Sequence, residues 1–294
     1  RARIRDEAPG RVPRFTTLPG CSSFPVCTRA TLPLALFPPG NSMLTAARRE
    51  GALALICLVA IVATMFVPPI PQDPAYHAFV DNRTLAGIPN FWNVVSNVGY
   101  LIVGIYGLTL VRRLPSRELL PGYLTFCIAV GLVAFGSAWY HYDPSTETLV
   151  WDRLPISVGF MALFALLLGE RISWKLAQAL LWPLVIVGMA TVFYWAWTEA
   201  QGAGDLRPYV VVQFLPILLM PMLLVMFPGS RRSAMWLWYT FAGYVIAKIA
   251  EHFDARIYDA VGLGGHSIKH LVSAIAVLFA LHAMLEMKVP PQTR

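Results

Sequence analysis

The sequence predicts an all-α polytopic membrane helix bundle, a seven-helix core preceded by one further transmembrane helix, and three observations lead there. The chain has 294 residues, of which 57% are hydrophobic and only 13% charged, with a mean hydropathy of +0.59. So few polar residues cannot cover a water-soluble globule of this size, and lipid is the solvent the composition suits. The apolar residues fall in runs near the ~20 residues that span a bilayer as a helix. Basic residues gather in every second connection between those runs.

Residues 1–45 are rich in Arg, Pro, Ser and Thr and lack apolar periodicity, which predicts a disordered extension. Translation starting at the first methionine, Met43, would make the residues before it non-native. An Arg-rich transit peptide is the competing reading, and Asp6 and Glu7 count against it. The extra transmembrane helix is expected within 46–75 and the seven-helix domain over 76–288. The apolar runs lie at about 51–69, 91–111, 119–140, 150–169, 174–197, 209–228, 233–250 and 267–287. Prolines and glycines punctuate the connections, among them Pro68, Pro115, Pro144, Gly202, Pro228 and Gly262. No internal repeat of the kind found in transporters built from duplicated halves is visible.

Lys and Arg collect in cytoplasmic loops. Arg48 and Arg49 precede the first run, Arg112, Arg113 and Arg117 join the second to the third, and Arg171 and Lys175 join the fourth to the fifth. Arg231 and Arg232 join the sixth to the seventh, and Lys288 follows the last. The alternate connections carry Asp73, Asp81, Asp143, Glu147, Glu199, Asp205, Glu251, Asp254 and Asp259 without a basic excess. Eight spans with both termini cytoplasmic satisfy this pattern. The net charge of +7 is therefore an orientation and headgroup signal, and no nucleic-acid partner is expected. The four cysteines show no metal-site spacing; no disulfide is expected between Cys57 and Cys127, and a Cys21–Cys27 pairing stays open.

Two polar pairs interrupt the apolar runs one helical turn apart: Ser137 with His141, and His266 with His270. Residues at i and i+4 share a helix face, so each pair aims at one point, and ionisable groups at membrane depth are costly enough to indicate function. The predicted topology brings both pairs to the external end of the bundle, together with Asp152 and with Asn90, Asn93, Ser96 and Asn97, where they would line a pocket. Three imidazoles suit a metal, because three protein ligands leave the fourth position of tetrahedral zinc open. Zinc also acidifies water to a pKa of about 7. His141, His266 and His270 are the expected ligands, Asp152 the proton shuttle, and Ser137 a hydrogen-bonding partner of water, ligand or substrate carbonyl. Taken alone, His141 would as readily be a helix-packing hydrogen bonder; the set of five favours the metal. Ser137, His141 and Asp152 also spell a serine-hydrolase triad by residue type, but that use leaves His266 and His270 without a purpose.

At these residues the chain resembles the alkaline ceramidase family, within a larger group of seven-helix membrane hydrolases that includes adiponectin receptors and Per1-type lipid-remodelling enzymes. The resemblance rests on Gly136-Ser137-Ala138-Trp139-Tyr140-His141, on Asp152-Arg153-Leu154-Pro155, on Asn93-Val94-Val95-Ser96-Asn97, and on His266-Ser267-Ile268-Lys269-His270, and covers roughly 80–287. It implies zinc held by the three histidines, a site completed by Ser137 and Asp152, and hydrolysis of a ceramide-like lipid from the bilayer to a long-chain base and a fatty acid. A phospholipid ester in place of the amide, or a lipid or hormone receptor without turnover, are the other readings the wider group permits.

The chain departs from the family pattern in two ways. Family members carry an acidic, calcium-binding cluster ending in a glutamate just before the Asn-x-x-Ser-Asn stretch, where Asn90 stands here. Asp81, Asn82 and Asn90 are at most a degenerate calcium site, since Ca²⁺ takes ~6–8 oxygen ligands, several of them charged. The added amino-terminal helix is the second departure. Of the other polar residues, His77, His252 and His282 lack a metal pattern, Lys248 is expected to snorkel outward, and Glu251 and Asp254 to line the external mouth. Trp92, Trp139, Tyr140, Trp151 and Trp197 read as an interfacial belt.

Overall fold

The structure, a computed structural model, describes residues 46–289. The disorder, the Met43 start and the Cys21–Cys27 pairing expected in the amino-terminal extension lie outside the described residues.

The described chain is a helix bundle: α1 (Ala46–Met65), α2 (Phe91–Val95), α3 (Val98–Thr109), α4 (Leu120–Tyr142), α5 (Thr146–Arg171), α6 (Trp174–Ala200), α7 (Arg207–Met226), α8 (Arg231–His252), α9 (Asp254–Val261) and α10 (Gly265–Leu285). Six helical segments are long and apolar enough to cross a membrane, with α2 and α3 counted as one segment and followed by α4, α5, α6, α7 and α10. The protein is an integral membrane protein. The helices α1 and α8 are not among the six. Arg48, Arg49 and Glu50 crowd the start of α1, and α8 mixes Trp, Tyr and Lys248 into its apolar sequence.

Two departures from the expected spans bear on the site. The run at 91–111 is broken at Ser96 and Asn97 into α2 and α3, and the connection after α8 contains α9. The break has a local cause visible in the hydrogen bonds. The Asn97 amide reaches back to Val94 rather than to Asn93, which leaves the Asn93 carbonyl to side-chain donors.

Small residues let the helices approach closely, the usual packing device in membranes. A Cβ on Gly104 of α3 would lie 2.7 Å from the backbone nitrogen of Gly131 on α4, and one on Gly243 of α8 would lie 2.7 Å from the Ala276 side chain of α10. Between α4 and α5, Asp143 ends one helix and Ser145 caps the next through a capping box with Thr148. Pro144 between them fits this stop and start, since the residue before a proline is pushed out of helical conformation. At the opposite end, buried Glu170 accepts hydrogen bonds from the Ser230 and Lys288 amides and the Ser233 hydroxyl, and pairs with Arg171 at 3.2 Å. A buried carboxylate needs such partners. The helix α1 packs Leu53 into a core cluster with Leu219, Leu223 and Leu237.

Candidate metal centre

His141 lies in the last turn of α4, while His266 and His270 lie in the first two turns of α10. All three are buried. One ligand atom from each lies within 4.8 Å of the others, and among the described residues this is the one group of His, Cys, Asp or Glu side chains so placed. The rings stand at steep angles rather than stacked: centroids are 4.9 Å apart at 76° for His141 and His266, 4.8 Å at 54° for His141 and His270, and 4.9 Å at 87° for His266 and His270. Rings that converge by their edges can share an ion. Phe79 covers them from the loop before α2, with its centroid 4.6 Å from His141 and 5.1 Å from His266.

Each histidine is placed by a local device. The α4–α5 turn fixes His141, whose own carbonyl accepts from the Asn90 amide at 2.9 Å. Asn90 adopts a left-handed conformation (φ 47°), one that Asn tolerates better than most residues. At α10, Gly264 and Gly265 let the helix start against α8 and α9, where a Cβ on Gly265 would strike the Ala250 carbonyl oxygen and Asp254. Asp254 then accepts from the His266 backbone amide at 3.0 Å. A carboxylate at a helix amino terminus is favourably placed. The Ser96 hydroxyl lies 2.8 Å from Nδ1 of His270.

Ser137 and Asp152 come close to one another across the α4–α5 contact, near enough for the serine side chain to act on the carboxylate. Gly136 allows this, because a Cβ there would collide with the Trp151 carbonyl. Oδ1 of Asp152 is buried and has no hydrogen-bond partner among the described residues, and the same is true of Nδ1 of His141. Buried polar atoms without partners are rare and costly. An unpartnered nitrogen on one of three converging imidazoles fits a site that holds a cation, and Asp152, on the helix packed against α4, leaves an oxygen free for a polar ligand.

The structure also adds charged residues that the sequence reading left out or placed elsewhere. Lys269 donates to Glu251 Oε1 at 2.8 Å and lies 3.0 Å from Nε2 of His266, while Glu251 also pairs with Lys248. Lys248, 43% exposed, pairs with Glu251 from the outer side, and Glu251 thus has a lysine partner on each of two helices. A lysine between the two histidines of a membrane helix was the available signal. Arg153, next to Asp152, is buried against the rings of Trp195 (4.2 Å) and Tyr209 (5.0 Å) and donates to Gln72 Oε1 at 2.8 Å.

Other candidates are not part of the histidine group. Both carboxylate oxygens of Asp81 are taken by the Arg83 guanidinium at 2.8 and 2.7 Å, Asn82 is exposed, and Asn90 serves His141. The Arg83 hydrogen bonds hold the Asp81 carboxyl below its usual range. His77 contacts Tyr140 and Thr146 at 3.0 and 3.3 Å, His282 is 2.8 Å from the Leu278 carbonyl, and His252 is exposed. Tyr140 is 1% exposed and stands apart from the four tryptophans of the expected belt, which are 38–62% exposed. It points inward because its hydroxyl finds His77 and the Tyr76 carbonyl there.

No curated protein matches the chain. The family model described as Ceramidase matches residues 83–290, more than two thirds of the sequence and all of the helices that carry the site. On that match the chain belongs to the ceramidase family.

Proposed function

We propose that the protein is a zinc-dependent intramembrane hydrolase that cleaves the acyl amide bond of a ceramide-like lipid, releasing a long-chain base and a fatty acid. The observation that carries this reading is the convergence of His141, His266 and His270 within 4.8 Å, in a chain whose family is named for that activity. The three histidines would hold zinc, the ion that three nitrogen ligands and an open fourth position suit. When bound, zinc supplies Lewis acidity, polarising the acyl carbonyl and acidifying water at neutral pH.

The protein residues do the rest. Asp152 Oδ1, the unpartnered oxygen, takes a proton from the attacking water as the carbon–oxygen bond forms, and delivers it to the nitrogen as the carbon–nitrogen bond breaks. Ser137, close to that carboxylate, helps to orient it. Phe79 limits water around the histidines. Ser137 acts on Asp152 itself, which counts against a serine-hydrolase triad, in which the histidine would stand between the two.

The alternation of basic connections supports placing both termini in the cytoplasm and the site toward the external side. The test is release of fatty acid and long-chain base from ceramide by the purified chain in lipid nanodiscs. Product from a phospholipid ester but not from ceramide would favour the esterase reading, and tight lipid binding without product the receptor reading.

A further inference from the structure

We propose that Ser96 is a positioning residue that fixes His270 in the tautomer able to bind a metal through Nε2, an inference that rests on the metal reading above.

The argument begins with the break between α2 and α3. In an unbroken helix the Asn93 carbonyl would accept from the Asn97 backbone amide. Here that amide goes to Val94, and the Asn93 carbonyl accepts instead from the Asn97 side-chain amide at 2.7 Å and from the Ser96 hydroxyl at 3.2 Å. Ser96 has a single hydrogen to donate. With that hydrogen on Asn93, its oxygen is an acceptor toward Nδ1 of His270, 2.8 Å away. The proton of the neutral imidazole therefore sits on Nδ1, and the lone pair sits on Nε2.

The support is rigid. Asn93 is fully buried, and its side chain is spent in both directions, donating to the Asp81 carbonyl at 3.1 Å and accepting from the Ser267 hydroxyl at 2.7 Å. Ser267 is on α10, three residues before His270, so one asparagine ties the broken helix to the helix that carries two of the histidines. Ser96 is 6% exposed and His270 is 3% exposed, so water does not readily replace the hydroxyl. Partners of this kind orient a metal-binding histidine, and their loss typically weakens metal binding ~10–100-fold.

The test is zinc affinity, measured by competition with a chromophoric chelator on the full chain in detergent. Ser96→Ala should weaken zinc binding ~10–100-fold, while Ser96→Thr, which keeps the hydroxyl, should stay close to wild type. The visible spectrum of the cobalt-substituted protein should change in Ser96→Ala and be restored in Ser96→Thr, a readout that a role in helix packing alone would not move. Equal zinc affinity in Ser96→Ala and wild type would overturn this inference only. Failure of the wild-type chain to take up zinc would overturn the metal reading along with it.

Discussion

Gly136 lets α4 pass directly over the carbonyl of Trp151 on α5, and the contact brings Ser137 up to Asp152. An added methyl there has a rigid backbone to meet rather than a flexible side chain. Overpacking of this kind costs about 1–3 kcal/mol. Gly136→Ala should lower thermal stability in detergent by that order and reduce turnover more than tenfold by separating the serine from the carboxylate. Gly131→Ala on the same helix meets nothing within 4 Å and should do neither. Equal activity in the two variants would contradict the assigned role of the contact.

Asp152 and the histidines should separate into two phenotypes. Asp152→Asn keeps the shape and removes the base, so turnover should fall by ~10²–10⁴ while zinc content stays at the wild-type level. His270→Ala should lose zinc and turnover together and still insert in the membrane as a folded chain. Elemental analysis beside a ceramide assay distinguishes them, and an active Asp152→Asn protein would remove the residue from the chemistry.

Arg83 already supplies the cation that the buried Asp81 carboxylate needs, and it also donates to the Gly262 carbonyl at 2.7 Å. Calcium chelation should therefore leave the melting temperature and activity of the wild type unchanged. Arg83→Met should lower the melting temperature, because it leaves the Asp81 carboxylate without its partner. A calcium-dependent rise in the wild-type melting temperature would contradict this.

His77, in the loop before α2, has its pKa pushed below the ordinary 6.5 by burial and then by the charge of Arg153, with Glu147 opposing. A depressed histidine pKa means that the unfolded chain takes up the proton first. The stability this group contributes is complete above pH 6.5 and is lost as the pH falls below it, toward the lower folded value. Melting temperatures should fall more steeply below pH 6.5 for wild type than for His77→Gln; parallel curves would show that His77 does not contribute.

The long helices were legible because each is an apolar run of bilayer length, and the histidine trio was legible because i, i+4 spacing survives folding unchanged. The α9 helix was not, since its eight residues from Asp254 to Val261 carry too little apolar sequence to stand out from a polar loop. The break at Ser96 and Asn97 was hidden by the apolar residues on either side, although the polar pair marks it once the hydrogen bonds are known. Tyr140 was misread as a belt residue because nothing in the local sequence reveals His77 as its partner, 63 positions away. The Glu251–Lys269 pair spans 18 positions and two helices, a separation that no local pattern encodes.

The most direct measurement of the central claim is zinc per chain in protein purified from membranes, taken with ceramide hydrolysis on the same samples. One zinc per wild-type chain is expected. Ion and turnover should be lost together in His141→Ala, His266→Ala and His270→Ala, and both should return to metal-stripped wild type when zinc is added. Undiminished ceramide hydrolysis by the metal-stripped chain, or by any of the three histidine variants, would contradict the account.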